Sequence, residues 1–501
     1  MSPDARPVTG RSLRRSWYVL PWVIVAGCAV GPDFKTPAAP EVDRYSAAPV
    51  PAQTAATSAP VHGGEAQILR AGQPVPQQWW QLFGSEKLNA LVDEAFAASP
   101  SVTSARSALT RAEELLNAQR GYQLPTVDAG FGAQRQKSFM NFGEPSVIGP
   151  LNLYNADVSV AYGIDVFGGL RRRVEGQVSL VEYQRYELQA TYLTLAANVV
   201  TTSVQETSLR AQIQATQEIV ASQEDLLNLS EVQFKLGAIA YPQLLAARSE
   251  LAAVRASLPQ LQRSLHETQS QLAVYLGKLP VQHVNSNFAL EELTLPQQIP
   301  LGVASELVRR RPDVRAAEAL LHKASADVGV ATADMYPQFT IGASYGASSN
   351  ELSTLFDNTV FNLGANITQP IFHGGALNAQ RRAAQAAYEG AVADYRQTVL
   401  SAFKNTSDAL QAVLADAESL RALHDALLSA ENSLQLIDQQ YRLGGASYLE
   451  LLIAQRQARQ AKINYLQRLA SRYQNTAALL LAIGGEWTDP AISAQRNESQ
   501  E

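Results

Sequence analysis

The chain has 501 residues, a formal net charge of −6 and 17% charged side chains. A single cysteine excludes a disulfide-built scaffold, and the modest charge excludes a disordered tail protein. Six histidines lie scattered with no pair at ligand spacing, so no metal site is expected, and the acidic balance argues against nucleic acid as a partner.

Arg6, Arg11, Arg14 and Arg15 precede an apolar run from Trp17 to Ala26 that ends at Gly27-Cys28, the layout of a secretory signal over residues 1–27. About ten apolar residues are too few to cross a bilayer as a helix. Val25-Ala26-Gly27-Cys28 resembles a bacterial lipobox, in which small residues admit the signal peptidase and the cysteine thiol takes a diacylglyceryl group. The alternative is a buried structural cysteine, but a lone Cys closing such a leader favours lipidation. The expected modification is S-diacylglycerol plus N-palmitoyl on Cys28, with no other cofactor. Ala29 follows in place of aspartate, which favours sorting to the outer membrane. Each buried lipid methylene contributes roughly 0.8 kcal/mol, so a triacylated Cys28 is held firmly.

Residues 28–84 read as a lipidated strap: 35–75 are rich in Pro, Ala, Thr, Gln and Gly with little periodicity, suited to lying over a surface. From Trp79-Trp80-Gln81-Leu82-Phe83 the pattern turns helical, with Leu88, Leu91, Val92 and Ala95 on one face. Val102, Ala105, Leu109, Ala112 and Leu116 continue it after Pro100. After Leu124-Pro125 the period changes from 3.6 to 2. Val127, Ala129, Phe131 and Ala133 alternate with small or polar residues, a polar loop is expected near 135–150, and Tyr154 to Val166 alternate again. Two strands of about ten residues with one apolar face fit a half-buried soluble hairpin and also fit an outer-membrane barrel.

A prolific helical stretch follows. Leu170 to Leu236 spans 67 residues without proline, about 100 Å as one helix at ~1.5 Å per residue. It stops at Gly237, and a returning helix from about Pro242 to Leu276 is expected to be interrupted at Pro259. The whole sequence of elements then recurs. Tyr336-Pro337 matches Leu124-Pro125, two more alternating segments surround a loop at 348–358, and Leu377 to Leu443 is again a long proline-free run, followed by a return helix over 447–483. The tips share Gln233, Leu236, Gly237, Tyr241, Leu244, Leu245 and Ala247 with the stretch 207 residues later, which begins at Gln440. This is an internal duplication, with a first repeat at 85–280, a linker at 281–303, a second repeat at 304–485 and a tail at 486–501.

Four strands cannot close a barrel, and an open edge in lipid leaves amides and carbonyls unpaired at several kcal/mol each. Two chains would give eight strands, about the number at which side chains fill the interior. Three would give twelve and leave a lumen, consistent with the small inward set Gly130, Gly163, Gly342, Ser344 and Gly364. The expected fold is therefore an α+β membrane protein: a trimeric 12-stranded β-barrel, four strands per chain, continued by a long α-helical coiled-coil barrel and internally duplicated.

At this point the chain resembles the outer membrane factor family, the TolC-like efflux lipoproteins of multidrug pumps (NodT-like). The resemblance is carried by Cys28-Ala29-Val30-Gly31-Pro32-Asp33-Phe34, Trp79-Trp80 with Phe83, Asp165-Val166-Phe167-Gly168, Arg310-Arg311-Pro312-Asp313, Pro370-Ile371-Phe372, Tyr441-Arg442 with Gly444, and Gly484-Gly485-Glu486-Trp487. It implies a homotrimer, lipid-anchored in the outer membrane and reaching through the periplasm, whose helical tips meet a periplasmic adaptor bound to an inner-membrane RND-type transporter. Drugs or other toxic small molecules would leave through it passively. The tip residues Gly237, Tyr241, Gly444 and Tyr448 resemble the family's adaptor-contacting turns, although they could simply close the hairpins. Many relatives carry an aspartate where this chain has Ile453, so an acidic ring there is not expected. Leu449 and Ile453 on one helical face, with Glu450 nearby, could instead form an apolar periplasmic constriction or pack as coiled coil.

No residue is assigned to catalysis: Ser401-Ala402-Phe403-Lys404 matches a Ser-x-x-Lys pattern but lacks companion motifs and lies midway along a long helix. The same architecture serves type I protein secretion, which is the alternative function. A lipid-tethered periplasmic coiled-coil scaffold would need helix only and conflicts with the four alternating segments.

Overall fold

A computed structural model describes residues 29–484, apart from residues 43, 47, 48, 143 and 283, and gives no side-chain detail for 138–149, 305 and 307. Cys28 and the Gly485-Glu486-Trp487 run therefore lie outside the described residues. The strap runs in extended conformation over the helices and contributes strand β1 (Ile68–Ala71). A 3-10 turn at Trp79–Phe83 then buries Trp79, Trp80 and Phe83 completely in the main core. Helix α1 (Glu86–Ala98) starts on Ser85, whose Oγ accepts from the Leu88 N–H, and α2 (Pro100–Gly121) starts on a proline whose missing N–H would have had no partner.

Strands β2 (Thr126–Phe142) and β3 (Glu144–Ile164) follow, then helix α3 (Gly169–Lys235) of 67 residues. Asp165 caps α3, its two carboxylate oxygens accepting from Leu170 N (3.0 Å) and Arg171 N (2.8 Å). The return helix α4 (Tyr241–Tyr275) runs straight through Pro259, contrary to the expected interruption. Pro259 lies on the exposed side of α4, so the carbonyl it leaves unbonded reaches water, while the opposite face stays packed on α3. The linker contributes β4 (Gln298–Leu301), which pairs in parallel with β1 and so stitches the strap to the junction between repeats.

The second repeat opens with the short α5 (Leu307–Arg310) and then α6 (Pro312–Ala333), equal to α2 in length. Arg311 grips Asp313 with two bonds (3.0 and 2.7 Å) and donates to the Ala482 carbonyl (2.6 Å), tying the Arg-Arg-Pro-Asp run to the far end of the chain. Strands β5 (Gln338–Ser349) and β6 (Thr359–Thr368), helix α7 (Ala376–Arg442), again 67 residues, and α8 (Tyr448–Ile483) complete the fold.

The four long strands form one antiparallel sheet in the order β2-β3-β5-β6, leaving β2 and β6 as edges. The polar loop expected at 135–150 is instead strand: β2 and β3 stay paired out to Phe142 opposite Glu144, with one register shift between Gln136 and Ser138. Apolar alternation fades there, so the sequence carried no strand signal, yet the backbone ladder continues. Beneath the sheet the helices lie side by side. Near the sheet α2 packs on α3, α3 on α6 and α6 on α7; farther away α4 packs on α3, α3 on α8 and α8 on α7. Each level is thus a wall one helix thick.

Candidate functional site: the sheet faces and the hairpin tips

The ladder registers sort the sheet into two unlike faces. Val127 stands opposite Val160 and that opposite Ala343, which stands opposite Leu363; Tyr162, Ile341 and Ala365 form the next row. The intervening rows read Gly130, Asp157, Gly346, Val360 and Asp128, Ser159, Ser344, Asn362. One face is therefore continuously apolar and largely exposed, and the other is small and mostly polar, with Val360 as the apolar member. The expected inward residues Gly130, Gly163, Gly342, Ser344 and Gly364 all fall on the small face. No helix among the described residues is long and apolar enough to cross a membrane; Val127, Phe131, Tyr345, Phe361, Leu363 and Ile367 put exposed apolar surface on the sheet.

At the opposite end, each hairpin closes by the same chemistry. Gly237 has φ +72°, its N–H donates to Phe234 O (2.9 Å) and the next N–H, Ala238, to Gln233 O (2.8 Å). Gly444 has φ +80°, with Gly444 N–H to Tyr441 O (3.0 Å) and Gly445 N–H to Gln440 O (2.7 Å). Both are Schellman turns, which need a left-handed residue just past the helix. The restart differs between copies. Ser447 Oγ accepts from Glu450 N–H (3.3 Å) while Ser447 N–H donates to Glu450 Oε2 (2.6 Å), a full capping box. In the first copy Ala240 has no side-chain acceptor, and only Gln243 reaches back, accepting from the Ala240 N–H (3.2 Å).

The tip residues singled out from sequence separate into two groups. Tyr241 is 52% exposed, against the ring of Phe234, whereas Tyr448 is 6% exposed, packed with Ala247 and Leu452 between the hairpins. Leu449 and Ile453 are exposed one turn apart on α8, and the Glu450 carboxylate is turned back onto the helix start, where the Ser447 N–H and hydroxyl hold its pKa below the ordinary carboxylate value. Sequence reasoning missed the links between hairpins. Tyr441 Oη donates to Gln233 Oε1 (3.2 Å), Gln223 Nε2 to Gln455 Oε1 (2.8 Å), and buried Glu250 of α4 takes Arg456 (2.5 and 2.7 Å) and Arg459 (2.9 Å) of α8. Gln233 and its counterpart Gln440 were visible in the repeated motif. The Glu250 pairing joins residues some two hundred positions apart and had no local signal.

A family model for the outer membrane efflux protein matches residues 91–278 and 303–485, one block per repeat. The chain belongs to the outer membrane efflux protein family. Among relatives in this family, the pyoverdine export outer membrane protein OpmQ of Pseudomonas putida is 30% identical over 436 residues, covering 86% of this chain and 92% of that protein. The toluene efflux pump outer membrane protein TtgC of Pseudomonas putida is 26% identical and covers 95% and 96%. The outer-membrane channel OprN superposes with a TM-score of 0.82 at 27% identity, covering 92% of this chain and all of that one. The expected fold class, a β-barrel wall continued by a helical barrel, is thus the fold of this efflux family, and the chain is an outer membrane protein whose helices extend into the periplasm.

The beginning of the described chain lies where sheet and helices meet. Val30 N–H donates to Phe167 O (3.0 Å), just past the end of β3. Gly31, at φ +98°, lies so close to Gly329 that a Cβ on it would come 2.4 Å from the Gly329 Cα. Arg172, buried at the first turn of α3, donates to Asp33 (2.7 Å), to the Val30 carbonyl (3.3 Å) and to Glu175 (2.8 Å); Phe34 stacks on His322 at 4.2 Å. A clasp of strap, α3 and α6 therefore holds residues 30–34 level with the rim of the sheet.

Proposed function

We propose that three copies close the four-stranded sheets into a twelve-stranded barrel, and that the chain is the passive outer-membrane conduit of a tripartite efflux pump. The observation that carries this is the sheet itself, with two unpaired edges, one apolar face and one face of glycine, serine, asparagine and aspartate. Lipid accepts such a sheet only if its edges are paired, and a twelve-stranded closure leaves the small face around water. The 67-residue helices then prolong the bore by about 100 Å. No catalytic role is assigned to any side chain.

Lipidation of Cys28 is supported by the lipobox-like run that ends at it, and Ala29 next to it packs on Gly168 at the end of the sheet nearest the helices. The exposed tips, with Tyr241 and the two glycine turns, are the surface offered to a periplasmic adaptor and through it to an inner-membrane RND-type transporter. Relatives named for pyoverdine, toluene and antibiotic export support small solutes over the alternative cargo, secreted protein. The test is a deletion strain: it becomes hypersensitive to toxic small molecules and recovers with the intact gene. A strain that keeps its resistance profile but loses a secreted protein would transfer the assignment to type I secretion.

A further inference from the structure

The helical wall is covered on one side and bare on the other, and the bare side is hollowed where the two levels of helices meet. On α8, Arg472 donates to the Gly63 and Glu65 carbonyls of the strap and Tyr473 to the Leu293 carbonyl of the linker. Gln474, Ala478 and Leu481 fall on the opposite side of that helix. On α3 the same division sets buried Tyr192, Val199 and Ser203 against Ala190, Thr194 and Thr201. Gln474 Nε2 donates to the Thr201 carbonyl and to Gln205 Oε1 (both 3.1 Å), so the two uncovered faces adjoin. In a channel the belt of strap and linker, which buries Trp79, Trp80, Phe83 and Phe288, needs the room outside the wall, and the uncovered side is left to the bore.

Two cavities open on that side and share Ala190 and Thr194 of α3. One, of about 360 Å³, lies between α3, the start of α6, α7 and the end of α8. The other, of about 530 Å³, lies between α3, the start of α2 and the end of α4. They are counterparts in the two repeats: Pro100 stands where Pro312 does, Asn198 where Asn405 does, and Val274 where Leu481 does. Their charges differ. In the second-repeat cavity Asp313 is held by two bonds from Arg311, and Asp408 takes Lys404 (2.6 Å). In the first-repeat cavity the carboxylate is Glu187, and among the described residues none bonds to it or pairs with it. Burial first and the Asp313 charge second raise its pKa, and no cation acts against them.

We propose that the first-repeat cavity binds an organic cation, Glu187 taking the charge and Leu195, Val274 and Tyr275 taking an aromatic or alkyl body. The proposal rests on the channel reading and names a class of solute that pauses on the bore wall. A metal ion fits poorly, because one carboxylate among hydrocarbon cannot replace the several oxygens of its coordination shell. An anion is repelled by Glu187 and Asp313 together. An organic cation holds its water loosely, and an aromatic ring such as that of Tyr275 attracts it. In the second-repeat cavity the Arg311 guanidinium already supplies the positive charge, so the same solute gains nothing there.

Ethidium, a planar aromatic cation whose fluorescence rises when it leaves water, is the probe. It is titrated onto the full-length protein in nanodiscs of zwitterionic phospholipid, and each variant is also checked for conductance in planar bilayers. The parent should bind it saturably. Glu187→Gln should weaken binding about tenfold, the effect of losing one charged partner, while Glu187→Asp keeps most of it. Ala190→Trp, which fills the cavity floor, should abolish saturable binding. Glu218→Gln removes an exposed carboxylate farther along α3 and should change nothing. A conducting parent that binds no more ethidium than empty nanodiscs, or a Glu187→Gln variant that binds as tightly as the parent, overturns the site and leaves the channel reading standing. Equal weakening by Glu218→Gln overturns it as well, since net negative charge alone would then explain the binding. A parent chain that forms no conducting oligomer overturns the channel reading, and the site with it.

Discussion

Replacing Glu250 should loosen the two hairpins from one another near their tips. Its carboxylate is 2% exposed and accepts from Arg456 and Arg459 of α8, whose side chains are 54% and 28% exposed. Breaking a fully buried ion pair costs about 3–5 kcal/mol because a charge is stranded. Here both arginines can swing to water, so Glu250→Ala should cost less, about 2 kcal/mol, close to the loss of one charge-assisted hydrogen bond. Glu250→Gln keeps the shape and part of the bonding and should fall between. The exposed pairs Arg248–Glu231 and Arg255–Glu224, which tie α4 to α3, are screened and should contribute little. Global melting is a poor measure for such a large assembly, so the readout is amide hydrogen exchange of the purified protein. Peptides covering 245–255 and 450–460 should lose roughly 30-fold in protection in Glu250→Ala, since each 1.4 kcal/mol is about tenfold, while α2 and α6 remain unchanged. Equal protection in parent and Glu250→Ala would show that helix packing alone holds the hairpins together and refute the argument.

The Glu450 carboxylate has a depressed pKa in the folded chain, through the Ser447 N–H first and its hydroxyl second, so its capping contribution is present above the unfolded carboxylate value of about 4.3 and disappears as pH falls through the lower folded value. Exchange at the start of α8 should therefore accelerate below about pH 4 in the parent, and Glu450→Ala should show that faster exchange already at neutral pH. Gly444→Ala has open space around its Cβ and should cost only the left-handed backbone term, about 1 kcal/mol, read as faster exchange at the tip. Gly31→Ala meets the Gly329 backbone at 2.4 Å and should release the strap, read as proteolytic cleavage within residues 35–75. Leu449→Ser combined with Ile453→Ser should raise conductance in planar bilayers if these side chains constrict the mouth; unchanged conductance assigns them to packing alone.

The large features were legible because they repeat or alternate. Helix lengths could be read from Leu170–Leu236 and Leu377–Leu443 since nothing in those runs can stop a helix, and the tips from glycines that must sit at positive φ. The outer half of β2 and β3 escaped detection because Gln134, Arg135 and Gln136 carry no apolar period. Pro259 misled because a proline on the water side of a packed helix bends the rule that it should end one. The strap clasp was half visible: Gly31 and Asp33 stood in the sequence, but their partners Gly329 and Arg172 are joined to them only by the fold.

The duplication also explains why one motif yields two unlike tips. In the first hairpin Tyr241 leans on Phe234 of its own helix and stays at the surface. In the second, the residue matching Phe234 is Tyr441, whose hydroxyl reaches across to Gln233, and this draws the Tyr441 and Tyr448 rings, 6.1 Å apart, into the groove between hairpins. The exchange of one ring hydrogen for a hydroxyl thus turns a self-packed tip into one fastened to its neighbour. Ser447 and Glu450 reinforce the same copy with a capping box that Ala240 cannot make. The hairpin that carries Leu449 and Ile453 therefore has more bonds holding its tip than the hairpin with the exposed Tyr241.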